Sequence, residues 1–151
     1  MRRSRLAPAA VGLVAGIAAT FAAPGVASAE TVIAPKNVAT LLCLDSNTSG
    51  SVYTLKCNTG FYQEWIEALG TYGKVYRNLA TGMCLDSNAE RSVYTHVCNG
   101  GSYQQWNLAN NGGSSYTLRN VATGYCLDSD TTGHVYTLDC NGGNFQAWYR
   151  Y

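Results

Sequence analysis

Charge is scarce in this sequence. Asp, Glu, Lys and Arg together make up 13% of its 151 residues, and the two histidines stand far apart, at positions 96 and 134. So few imidazoles leave little material for a multi-histidine metal centre or a His-driven catalytic site. No stretch after residue 29 is long and apolar enough to span a bilayer. No Gly-rich phosphate loop and no C-x-x-C pair occurs. Only three prolines are present, and no eleven-residue segment carries apolar residues at helical spacing. These absences point away from helical, phosphate-binding and zinc-centred architectures.

The amino-terminal segment has its own logic. Arg2, Arg3 and Arg5 precede a small, apolar run from Leu6 to about Val26, and Ala27-Ser28-Ala29 follows as an A-x-A cleavage site. That order predicts a secretory signal peptide over residues 1–29 and an extracellular destination. A membrane anchor is the alternative, but Gly12, Gly16 and Pro24 interrupt the run and no stop-transfer charges follow it. Residues 30–151 keep seven Lys and Arg against all nine Asp and Glu, a net charge of −2. Such a chain offers no basic face to a nucleic-acid backbone, and the length suits one domain.

What is abundant is repetition. Six cysteines stand at 43, 57, 84, 98, 126 and 140, in pairs 14 residues apart. In an oxidising compartment disulfides are the default, and the even spacing favours Cys43–Cys57, Cys84–Cys98 and Cys126–Cys140. Around each pair the same string recurs. It runs from Asn37, Asn78 or Asn120 through Cys-Leu-Asp-Ser at Asp45, Asp86 and Asp128, and Val-Tyr-Thr at Tyr53, Tyr94 and Tyr136. It continues with Cys-Asn at Asn58, Asn99 and Asn141, and closes on Gln63-x-Trp65, Gln104-x-Trp106 and Gln146-x-Trp148. The period of 41–42 residues marks a repeat architecture, with units of about 30–70, 71–112 and 113–151. Short β-prone runs between Gly, Asn and Ser predict four strands per unit, about twelve in all. A unit this small cannot bury a core alone, so the three are expected to close around one axis.

The triple Q-x-W pattern resembles the ricin B-type β-trefoil lectins. The longer string L-D-S-N/D, V-Y-T and N-G-G-x-Y/F-Q-x-W is most similar to the actinohivin-like, high-mannose-binding branch of that family. The resemblance implies an all-β trefoil with pseudo-three-fold symmetry and one sugar pocket per unit. It implies structural roles for Gln63, Gln104, Gln146, Trp65, Trp106 and Trp148. It assigns the sugar pockets to Asp45, Tyr53, Leu55, Asn58 and Tyr62 in the first unit. The matching sets are Asp86, Tyr94, His96, Asn99 and Tyr103, then Asp128, Tyr136, Leu138, Asn141 and Phe145. Local sequence alone leaves alternatives open. Each Asp can tie down its own turn, each Asn can favour a left-handed turn, and each Tyr can simply fill a strand. Common ricin-type modules place an aromatic two residues before the second Cys and an Asn before Q-x-W; here Leu55, His96, Leu138 and Tyr62, Tyr103, Phe145 depart from that.

Within the mannose-binding pattern the first pocket is expected to be intact. His96 for Leu and Phe145 for Tyr are expected to weaken or retune the other two. Leu41 and Thr59 replace glycines found at Gly82, Gly124, Gly100 and Gly142, which predicts altered turns in the first unit. His134 falls in a variable loop and reads as solvated. The expected partners are glycans or glycoproteins, with no cofactor, no metal, no nucleic acid, no membrane insertion and a monomeric state. The carboxylates lie at equivalent points of a three-fold object, too far apart for an acid–base pair, so no catalysis is expected. A protein-binding trefoil, such as a secreted protease inhibitor, and a glycan-targeting module for a separate hydrolase are the rival expectations.

Overall fold

A computed structural model describes residues 30–151. The signal-peptide expectation for residues 1–29 lies outside them. The first unit contributes β1 (Thr31–Ile33), β2 (Pro35–Asn37), β3 (Cys43–Ser46), β4 (Val52–Leu55) and β5 (Trp65–Leu69). The second contributes β6 (Lys74–Asn78), β7 (Cys84–Ser87), β8 (Val93–His96) and β9 (Trp106–Asn110). The third contributes β10 (Ser115–Asn120), β11 (Cys126–Ser129), β12 (Val135–Leu138) and β13 (Trp148–Arg150).

The count is thirteen rather than twelve because the first strand of the first unit is interrupted. Pro35 has no N–H to give, and Ala34 donates instead to the Tyr151 carbonyl at 2.8 Å. On one side of the break β1 pairs with β5, and on the other β2 pairs with β13. With β5–β6, β6–β9, β9–β10 and β10–β13 pairing, the strands close into a barrel with no free edge. The hairpins β3–β4, β7–β8 and β11–β12 are joined to it by single pairings such as Arg77 with Cys84.

The alternation of the hairpin strands decides what they bury. Leu44 opposes Thr54, and Ser46 opposes Val52, all facing inward; Asp45 opposes Tyr53 on the other face. Leu44, Leu85 and Leu127 join Trp65, Trp106 and Trp148 in one core. Each indole is fully buried and donates Nε1–H to the carbonyl of the leucine in its own unit, at 3.1 Å in all three cases. Truncating such a Trp to Ala typically costs about 3–5 kcal/mol. The structural role expected for these tryptophans is the one the core gives them.

The barrel end breaks the symmetry. Glu67, Leu108 and Arg150 occupy equivalent places, and buried Glu67 accepts from Arg150 at 2.7 Å and Lys74 at 3.1 Å through Oε1. The Tyr76 hydroxyl donates to Glu67 Oε2 at 3.2 Å. Burial, followed by the Glu67 charge, pushes the Tyr76 phenol far up.

Units are stitched at two kinds of seam. Gly50 of the first hairpin loop accepts from Thr95 of the second unit at 2.8 Å, Arg91 from Thr137 of the third at 3.0 Å, and Gly133 from Thr54 of the first at 2.8 Å. In the other direction Asn78 donates its side-chain amide to the Tyr62 carbonyl at 2.7 Å, Asn120 to Tyr103 at 2.7 Å and Asn37 to Phe145 at 2.8 Å. The three disulfides join Cys43–Cys57, Cys84–Cys98 and Cys126–Cys140, as the spacing predicts.

Candidate functional site

Each hairpin carries a cavity on its outer face. The first, of about 200 Å³, is lined by Asp45, Ser46, Asn47, Tyr53, Asn58, Gly60 and Tyr62. The second, of about 290 Å³, is lined by Asp86, Ser87, Asn88, Tyr94, His96, Asn99, Gly101 and Tyr103. The third, of about 200 Å³, is lined by Asp128, Ser129, Asp130, Tyr136, Asn141, Gly143 and Phe145. The predicted Asp, Tyr, Asn and Tyr/Phe therefore converge in every unit.

The convergence follows from strand register. Asp45–Tyr53, Asp86–Tyr94 and Asp128–Tyr136 are directly opposed antiparallel pairs, so each carboxyl and phenol share the outer face. Leu55 and Leu138 share that face but sit two pairs further along, opposite Cys43 and Cys126. They do not border the cavities, contrary to the sequence expectation. His96, at the same position of the second unit, does line its cavity.

A glutamine holds each carboxylate. Gln63 Nε2 donates to Asp45 Oδ2 at 2.9 Å, Gln104 to Asp86 at 2.8 Å and Gln146 to Asp128 at 2.9 Å. The same amides cap the carbonyls of Lys56, Val97 and Asp139. Their Oε1 atoms accept from the N–H of Asn58, Asn99 and Asn141. One buried side chain thus orients both the acid and the amide of its cavity. The sequence pattern implied a structural role for these glutamines and not their grip on the Asp; the constant spacing of 18 between Asp and Gln was the available signal.

Each Asn side chain is partly committed. Asn58 Oδ1 accepts from Gly60 N at 2.6 Å, and Asn99 and Asn141 accept from Gly101 and Gly143 at 2.7 Å. The amide Nδ2 donors remain for a ligand. Asp45, Asp86 and Asp128 are only 3–5% exposed, and Asp86 Oδ1 is buried with no hydrogen-bond partner. A carboxylate at a cavity wall is a strong acceptor for a ligand donor. Burial pushes the Tyr53, Tyr94 and Tyr136 phenols up, with the charge of the facing Asp as second cause, so they remain neutral. Burial also raises Asp128, against the Gln146 hydrogen bond that lowers it.

Sequence reasoning did not assign Ser46, Ser87 and Ser129 or Asn47, Asn88 and Asp130 to the cavities, although they directly follow each Asp. Asn47 Oδ1 accepts from Ser49 N and Ser51 N at 3.1 and 3.0 Å, and Asp130 Oδ1 makes the same turn with Thr132 and His134. The Thr132 hydroxyl, first among several hydrogen bonds, pulls Asp130 down to about 2. The altered glycines have unequal effects. Leu41 keeps the left-handed conformation of Gly82 and Gly124, at φ 59° against 70° and 73°. Thr59 does not adopt the left-handed φ of Gly100 and Gly142, yet the turn that follows keeps its backbone bonds, from Gln63 N–H to the Gly60 carbonyl at 2.9 Å as from Gln104 to Gly101 at 3.0 Å. The Gly60 to Asn58 bond survives that difference.

Among the described residues no group of three or more His, Cys, Asp or Glu is placed to hold a metal ion, and no helix is long and apolar enough to cross a membrane.

No curated protein sequence matches the chain. Solved structures do. The designed three-fold symmetric protein ThreeFoil is 25% identical, with a TM-score of 0.72 over 79% of this chain and 96% of its own. The hemolytic lectin CEL-III is 26% identical, with a TM-score of 0.69 over 78% of this chain; the match spans only 29% of CEL-III. The ricin B-like lectin of Macrolepiota procera, solved with lactose, shares the fold at 16% identity, with a TM-score of 0.68 over 80% of this chain and 94% of its own. The family model described as ricin-type β-trefoil lectin domain-like matches residues 62–148. That match runs from the second aromatic of the first cavity to the last core tryptophan, and the chain belongs to the ricin-type β-trefoil lectin-like family.

Proposed function

We propose that the protein is a secreted, non-enzymatic lectin that binds mannose-containing glycans through one cavity per unit. The observation that carries this reading is the thrice-repeated set of a buried, Gln-held carboxylate, a facing neutral tyrosine and an Asn with free amide donors. A carboxylate accepts from two neighbouring sugar hydroxyls, the amide donates to a third, and Tyr62 or Tyr103 presents a ring face to sugar C–H groups. This polar set needs no cation to bind a neutral hydroxylated ligand. Mannose preference rests on the likeness of the repeated string to the high-mannose-binding branch. Three shallow sites on one rigid body raise avidity for branched glycans by about 10²–10⁴ when geometry allows joint engagement.

The test is binding to a panel of immobilised glycans in EDTA, with the wild type beside Asp45→Ala. The expected result is selective retention on high-mannose structures, competition by α1,2-linked mannobiose and weakening by the substitution. Retention on a different glycan class keeps the lectin and removes mannose. Folded, oxidised protein that binds no glycan overturns the proposal.

A further inference from the structure

The hairpin loop of each unit meets the cavity-lining tyrosine of the next. Ser51 forms an antiparallel bridge with Tyr94, Ser92 with Tyr136, and His134 with Tyr53. Antiparallel bridge partners direct their side chains to the same face, with Cβ atoms about 4.5–5.5 Å apart. His134 of the third unit therefore stands beside Tyr53, a wall residue of the first cavity, just outside the residues that line it. The other two cavities have only a serine there. The His134 side chain is 79% exposed, so it is open to a ligand lying across this seam.

The surroundings of the ring settle its donor and acceptor sides. Thr132 Oγ1 donates to Asp130 Oδ1 at 2.6 Å, which commits its hydrogen and leaves a lone pair toward His134 Nδ1 at 3.2 Å. Asp130 Oδ2 lies 3.2 Å from the same nitrogen. Two acceptors face Nδ1, so in the neutral ring Nδ1 carries the proton and Nε2 is a free acceptor. A serine hydroxyl, two bonds nearer to Cβ, does not extend as far from the backbone.

We propose that His134 is a specificity-determining residue of the first cavity. Through Nε2 it accepts a hydroxyl from the second residue of a neutral oligosaccharide whose first residue occupies the Asp45–Tyr53–Asn58 cavity. The inference rests on the lectin reading and deepens it. The three cavities resemble one another toward a single sugar and diverge toward a chain.

Nitrogen-15 NMR of the full chain, titrated with mannose and with α1,2-linked mannobiose, tests this. Galactose and lactose serve as a second probe pair. The expected result is that both members of the binding pair shift the Tyr53 and Asn58 signals, while only the disaccharide shifts the His134 imidazole. His134→Ser, which copies Ser51 and Ser92, is expected to lower disaccharide affinity at the first cavity by about five-fold and leave monosaccharide affinity unchanged. Asp130→Asn keeps the turn made by Asn47 and Asn88, offers Nδ1 a donor and moves the ring proton to Nε2. It is expected to reproduce the disaccharide loss, with the tautomer change visible in the imidazole shifts. A disaccharide that moves Tyr53 and Asn58 but not His134, or a His134→Ser variant with an unchanged affinity ratio, overturns this inference and spares the lectin. Silence of all three cavities toward both probe pairs overturns the two together.

Discussion

Gln63 and Asp45, eighteen residues apart, meet at 2.9 Å beneath the first cavity, the amide donating to the carboxylate. The same bond in the second unit allows a clean test, because Gln104 donates to Asp86 Oδ2 while Oδ1 has no hydrogen-bond partner. Gln104→Leu leaves that buried carboxylate without its donor. Stability is expected to fall by about 2–3 kcal/mol, read from the urea midpoint. Glycan binding at the second cavity is expected to fall with it. An unchanged midpoint would mean that the carboxylate is satisfied in some other way.

Phe145 stands where Tyr62 and Tyr103 stand in the other units, and it lines the third cavity without a hydroxyl. Phe145→Tyr is expected to tighten binding at that cavity by about five-fold, the equivalent of one neutral hydrogen bond of about 1 kcal/mol. Monovalent titration calorimetry measures it. A weaker third cavity would show that the added hydroxyl blocks the ligand.

Leu41 is 57% exposed and held at φ 59°, a conformation that costs a residue with a Cβ about 1–2 kcal/mol. Leu41→Gly relieves that strain, less the roughly 0.5–1 kcal/mol of extra chain entropy a glycine loses on folding. A net gain of about 0.5–1 kcal/mol in denaturant stability is expected. A net loss would mean that the exposed leucine has a compensating contact.

Burial raises the Asp128 carboxyl above its ordinary range. Its protonated form therefore appears at higher pH than in the unfolded chain, and folding takes up a proton as the pH falls through that window. Asp128 thus favours the folded state more at acid pH than at neutral pH, while the third cavity loses its charged acceptor over the same range. The carbon-13 shift of the Asp128 carboxyl is expected to titrate above the ordinary carboxylate value, with binding at the third cavity declining in parallel. A midpoint at or below the ordinary value would contradict this.

Much of the architecture was legible because it is written in local spacing. The 14-residue cysteine pairs, the Q-x-W triplets and the Asp and Tyr that meet across each hairpin all depend on contacts within one unit. What escaped was set by side-chain reach and by the seams. Leu55 looked like a cavity wall, but at that register only the longer His96 of the second unit lines its cavity. His134 looked like a solvated loop residue, and it is exposed; its position beside Tyr53 depends on a bridge between the first and third units that no local pattern announces. The Glu67–Arg150 pair likewise joins distant parts of the chain, and only closure of the barrel brings them together.

The loop seams all run the same way around the axis, from Gly50 to Thr95, from Arg91 to Thr137 and from Gly133 to Thr54. A sequence change in one loop therefore reaches the following unit as well as the cavity of its own. No unit is therefore independent of its neighbours: each composite of loop and hairpin spans two repeats, and a substitution in one repeat acts in two places.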